Sequence, residues 1–87
     1  MEIVYTKQAQ DDVRHWITTG NIAIQNKITQ LLNAIELEPY KGIGKPEALK
    51  HKLTGKWSRK INREHRIVYE FKHPDVIIIH SLKGHYE

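Results

Sequence analysis

At Pro39 the spacing of apolar residues changes from helical to strand-like, and this constrains the fold more than any other feature of the chain. Before it, Ala9, Val13, Trp16 and Ile17 recur at i, i+4, i+7 and i+8, and Ile24, Ile28, Leu31, Leu32 and Ile35 repeat the pattern. Each set makes one apolar stripe on a helix. Thr6 and Asn21 stand where a side-chain oxygen caps a helix start, and Thr18-Thr19-Gly20-Asn21 separates the two helices. Asp11 and Asp12 stand in the early part of the first helix, where negative charge suits the helix dipole if they fall within its first turn or so. Pro39 stops the second helix because it has no amide hydrogen with which to continue it.

After a loop with Gly42, Gly44 and Pro46, the period becomes two. Trp57, Arg59 and Ile61 alternate with Ser58, Lys60 and Asn62, and Ile67, Tyr69 and Phe71 alternate with Arg66, Val68 and Glu70. Asn62 to His65 is the predicted hairpin, His73-Pro74-Asp75 a further turn, and Val76 to about Leu82 a buried strand. With Glu2 to Tyr5 as a first strand, the order is β-α-α-β-β-β. The predicted class is α+β, a largely antiparallel sheet with two helices packed on one face, and residues 1–87 form one domain. Lys60 and Arg66 are expected on the other face, although strand register lies beyond what sequence specifies.

Charge is concentrated in one stretch. Residues 40–66 carry Lys41, Lys45, Lys50, Lys52, Lys56, Arg59, Lys60, Arg63 and Arg66 against Glu47 and Glu64, while the segments on either side are mildly acidic. Such a field attracts polyanions. The plainer reading is a solvated surface that maintains solubility. There is no cysteine, which excludes disulfides and thiolate metal sites and fits a reducing cytoplasm. The start of the chain lacks the pattern of a signal peptide, and no apolar run approaches the roughly 18 residues that span a bilayer. A cytoplasmic protein without membrane attachment is expected.

The six histidines, His15, His51, His65, His73, His80 and His85, show no metal-ligand spacing. No serine sits in a nucleophile elbow, and Gly42-Ile43-Gly44-Lys45-Pro46 lacks the spacing of a phosphate-binding loop. Neither metal nor cofactor is expected. RNA cleavage needs less equipment, because the substrate's own 2′-hydroxyl can attack phosphorus. One base, one acid and several cations suffice. Glu47 amid lysines, cations on the following strands, and His85-Tyr86 at the end could supply them. Taken singly, Glu47 also reads as a surface acid, Arg66 as an ion-pair partner and His85 as part of a frayed terminus. Composition and periodicity leave a ribonuclease and a basic binding module both open.

Four segments in one order carry a resemblance. Gly42-Ile43-Gly44-Lys45-Pro46-Glu47-Ala48-Leu49-Lys50-His51, Leu53-Thr54-Gly55-Lys56-Trp57-Ser58-Arg59-Lys60-Ile61, Glu64-His65-Arg66-Ile67-Val68-Tyr69 and His85-Tyr86 resemble the motifs of the YoeB-type toxins of the RelE superfamily. The resemblance spans essentially the whole chain. It implies a fold related to microbial ribonucleases and the toxin half of a type II toxin–antitoxin pair. It also implies ribosome-dependent, metal-independent cleavage of mRNA in the A site through the 2′-hydroxyl.

By position, Glu47 becomes the general base, Arg66 the transition-state stabiliser, His85 the general acid and Tyr86 an orienting residue. Lys45, Lys50, Arg59 and Lys60 become phosphate contacts. The family's proline after the glutamate is Ala48 here, its second strand arginine is Lys60, and Glu87 adds a carboxylate beside His85. The implied partners are the 30S A site, mRNA and a YefM/Phd-like antitoxin whose acidic segment covers residues 40–66. Whether the free toxin forms a homodimer is left open. The competing expectations are a gyrase-inhibiting toxin on the same scaffold, a ribosome-independent RNase and a plain RNA-recognition module. The last lacks its glycine-aromatic strand signature.

Overall fold

A computed structural model describes residues 1–84. The elements are β1 (Glu2–Tyr5), α1 (Lys7–Thr18), α2 (Ile22–Leu37), β2 (Glu47–Ala48), a 3₁₀ turn (His51–Leu53), β3 (Trp57–Lys60), β4 (Arg66–Lys72) and β5 (Val76–Ser81). The two-residue strand β2 adds to the expected order. The sheet runs β1-β5-β4-β3-β2 and is mixed: β1 is parallel to β5, and every other pairing is antiparallel.

Both predicted caps form. Thr6 Oγ1 accepts from the Ala9 amide at 3.1 Å and donates to the His80 carbonyl at 3.0 Å, so the residue that starts α1 also ties it to β5. Asn21 Oδ1 accepts from the Ile24 amide at 3.1 Å. The stripe of α2 buries Ile24, Ile28, Leu31 and Ile35, each contributing about 1.5–3 kcal/mol of hydrophobic stabilisation.

Helix α1 departs from expectation in two ways. Its buried line is Ala9, Asp12 and Trp16, which turns Ile17 to the rim, where it is 60% exposed. Neither aspartate lies in the first turn. Asp11 instead pairs with Lys7 and Arg14, whose bonds hold its carboxyl below the usual carboxylate range. Asp12 is buried for a tertiary reason described below.

The core lies between the helices and the central strands, with Ile67, Tyr69, Ile77, Ile79 and Leu82 fully covered. Register places Trp57, Tyr69, Ile79 and Tyr5 in one row across the sheet, and Arg59 opposite Ile67, all on the helix side. Glu47, Ser58 and Val68 form a row on the opposite side, and the Lys60–Arg66 pair lies next along that face. Among the described residues, no helix is long and apolar enough to cross a membrane.

Candidate nucleic-acid interface

Glu47 is exposed and is held by its pairing with Ser58 on β3. Arg66 is two strands over and one same-face step along, which puts the two Cα atoms roughly 12 Å apart by ideal sheet spacing. A phosphodiester can lie between side chains of that length. Lys60, exposed and directly opposite Arg66, borders the same space. Arg66 is half-buried, and its Nη1 donates to the Asn62 carbonyl at 3.3 Å. Lys45 and Lys50 are exposed at either end of the segment carrying Glu47. The structure thus brings the Glu47 carboxylate and two cations, Lys60 and Arg66, to one sheet face.

Arg59 is a correction. The expected phosphate contact is 0% exposed and faces the helices. Its Nε donates to the Tyr69 hydroxyl at 3.1 Å, Nη1 to the Ile43 carbonyl at 3.1 Å, and Nη2 to the carbonyls of Glu38 and Lys41 at 2.7 and 2.8 Å. Four of the five donors of the planar fork are thus engaged, three by backbone carbonyls and one by the Tyr69 hydroxyl. The Tyr69 hydroxyl in turn donates to the Pro39 carbonyl at 2.6 Å. Burial raises the pKa of this phenol, and the hydrogen bond from Arg59 offsets part of that rise. Arg59 therefore folds the loop before Glu47 down onto the sheet.

Gly44 completes the loop's attachment. At φ +85°, its carbonyl accepts from the Lys60 amide, and an added Cβ would stand 2.7 Å from Leu31 Cδ2. The close backbone approach that glycine permits is thus to the protein's own core.

The chain after β5 is fastened at both groups of two residues. Leu82 gives its amide to Asp12 Oδ2 at 2.8 Å and accepts from Trp16 Nε1 at 2.9 Å. Gly84 gives its amide to His65 Nδ1 at 2.8 Å, and its carbonyl accepts from the Arg66 amide at 3.1 Å. The chain through Gly84 is thereby fastened to the backbone of Arg66. The expected acid and orienting residues, His85 and Tyr86, lie outside the described residues. Sequence reasoning missed Asp12, Trp16 and His65 as the elements of this attachment. The available signal was an aspartate one helical turn before a tryptophan on an otherwise apolar stripe.

Another polar pair forms where β4 and β5 meet. Glu70 contacts His80 at 3.0 Å and Lys72 at 3.1 Å, and the two partners, His80 first, hold its carboxyl below the usual range. Among the described residues, no group of three or more histidines and carboxylates is placed to hold a metal ion.

The same architecture is found in a YoeB/ParE toxin from Agrobacterium tumefaciens, with a TM-score of 0.93 and 34% identity, covering 99% of this chain and 100% of that one. It also occurs in the YoeB–YefM toxin–antitoxin heterotetramer from Staphylococcus aureus, at TM-score 0.87 and 40% identity over 99% of this chain and 98% of that one. A mutant of YafQ from E. coli shares the fold alone, at TM-score 0.76 and 14% identity over 95% of this chain and 91% of that one. The fold is thus the α+β scaffold shared by these RelE-like toxins.

The family profile of the YoeB-like toxin of bacterial type II toxin-antitoxin systems matches residues 5–86. Toxin YoeB of Synechocystis sp. is 41% identical over 87 residues, covering 100% of this chain and 99% of that protein. Toxin YoeB of Escherichia coli K12 is 38% identical over 86 residues, covering 99% of this chain and 100% of that one. The chain belongs to the YoeB-like family of type II toxins.

Proposed function

We propose that this toxin is an endoribonuclease that cuts mRNA in the ribosomal A site, with no metal in the chemical step. The observation carrying this reading is the shared sheet face of Glu47, Lys60 and Arg66, with Gly84 bonded to the backbone of Arg66. Glu47 takes the proton from the 2′-hydroxyl, and the 2′-oxygen bonds to phosphorus. Arg66 stabilises charge on the non-bridging oxygens, for which its planar fork is suited. The bond from phosphorus to the 5′-oxygen breaks as His85 donates a proton to that oxygen. The products are a 2′,3′-cyclic phosphate and a 5′-hydroxyl. Tyr86 orients the substrate, and Lys45, Lys50 and Lys60 contact phosphates.

The exposed cations of residues 40–66 also fit an acidic, partly disordered antitoxin segment of the YefM/Phd-like kind. The S. aureus relative is known in a YoeB–YefM complex and as a dimer. The toxin acts in the cytoplasm, where its substrate is.

The test is cleavage of mRNA by the purified protein with and without programmed ribosomes, in the presence of EDTA. The expected result is cleavage only on ribosomes, unaffected by EDTA, leaving a cyclic phosphate. Glu47→Ala and His85→Ala each lower the rate by about 10²- to 10⁴-fold. Full activity in either variant removes that residue from the mechanism. Absence of cleavage under every condition replaces the nuclease reading with that of a binding toxin, to be tested on gyrase.

A further inference from the structure

We propose that His65 is a positioning residue for the reaction: its ring fixes the peptide of Gly84, from which His85 and Tyr86 continue, against the backbone of Arg66. The proposal rests on the reading of His85 as the general acid. A backbone amide can only donate, so the 2.8 Å contact from Gly84 requires an unprotonated Nδ1 and places the ring hydrogen on Nε2.

The ring is held from several sides. Trp16 meets it edge-on at 4.8 Å, and the indole N–H of Trp16 is engaged by the Leu82 carbonyl. Asn62 Oδ1 accepts from the amides of Glu64 and His65, both at 2.9 Å, and the His65 carbonyl accepts from the amides of Ile61 and Asn62. An acceptor prepared in this way meets a glycine at φ +79°, the residue type with the widest choice of exit directions.

Without the acceptor, Gly84 keeps the bond from Arg66 to its carbonyl but loses the one on its amide. The backbone can then rotate between Lys83 and Gly84, and the direction in which the chain leaves Gly84 is no longer fixed. Lys45, Lys50 and Lys60 are not hydrogen-bond partners of His65 or Gly84, so ribosome affinity should change little and the loss should fall on the chemical step.

The test compares wild type, His65→Asn and His65→Leu in single-turnover cleavage on programmed ribosomes at saturating toxin, each with and without His85→Ala. Ribosome affinity and Gly84 amide exchange are measured in parallel. Asparagine offers an amide oxygen close to the place of Nδ1. His65→Leu should lose on the order of 10²-fold in rate with little change in affinity. His65→Asn should recover most of that, and once His85 is alanine His65→Leu should cost much less, because only the orienting contribution of Tyr86 remains to be lost. Equal losses in the asparagine and leucine variants, or a full additional loss in the His85→Ala background, would overturn the proposal. A His85→Ala protein that cleaves at the wild-type rate removes the acid assignment instead. The role of His65 is then decided by amide exchange, and unchanged protection of Gly84 in His65→Leu overturns it.

Discussion

Arg59 and Tyr69, side by side in the core, act as one bracket: Arg59 Nε donates to the Tyr69 hydroxyl at 3.1 Å, and the hydroxyl passes its own hydrogen to Pro39 at 2.6 Å. The bracket holds the loop from Glu38 to Ile43 and so fixes the approach to Glu47. Tyr69→Phe removes one oxygen and leaves the buried Arg59 Nε and the part-buried Pro39 carbonyl without this partner. It should lower unfolding free energy by about 1–3 kcal/mol in urea denaturation.

Surface and buried cations should separate in salt titrations of RNA binding. Lys60→Ala is expected to reduce the slope of log affinity against log salt by about 0.7, the value for one single-strand phosphate contact. Tyr69→Phe, acting inside the protein, should leave that slope unchanged. A slope unchanged in Lys60→Ala would remove Lys60 from the phosphate contacts.

Asp12 is separated from Leu82 by almost the whole chain, yet its carboxylate receives the Leu82 amide at 2.8 Å while Gln8 donates to the other oxygen. Asp12→Ala leaves a buried amide without an acceptor and should cost about 1–3 kcal/mol. Asp12→Asn keeps an oxygen there and should recover part of the loss. Equal stability of the alanine variant and the wild type would show that the bond contributes nothing net.

Gly44→Ala would set a methyl group 2.7 Å from Leu31 Cδ2 in a left-handed backbone conformation. Overpacking of this kind costs about 1–3 kcal/mol. Because Gly44 is three residues from Glu47, cleavage should slow as well. Gly42→Ala meets only Arg59 Nη1, at 3.2 Å, and tests the same loop with a smaller steric conflict.

Glu70 gives stability a pH dependence of known sign. Its pKa is depressed in the folded state by His80 and then Lys72, so the folded protein binds its proton less readily than the unfolded chain does. This contribution is present above the ordinary carboxylate value of 4.5 and is lost as pH falls through the lowered folded value. Urea midpoints across acidic pH should therefore fall less steeply in Glu70→Gln than in the wild type. Parallel profiles would assign the acid sensitivity to other carboxylates.

Sequence by itself determined what depends on near neighbours. Thr6 and Asn21 each find a partner three residues on, so their caps were readable locally, and Pro39 ends α2 through its own missing hydrogen. The period-two alternation also separated Arg59 from Lys60 by face. Which face was buried, however, was decided by where the helices lie. A cation in a basic stretch reads as an RNA contact until the Glu38, Lys41 and Ile43 carbonyls close around it. Likewise, Asp12 reads as a helix-dipole residue until β5 brings Leu82 to it across 70 positions. Tertiary structure alone decided these roles, because an isolated polar side chain takes its energy from partners that only the fold assembles.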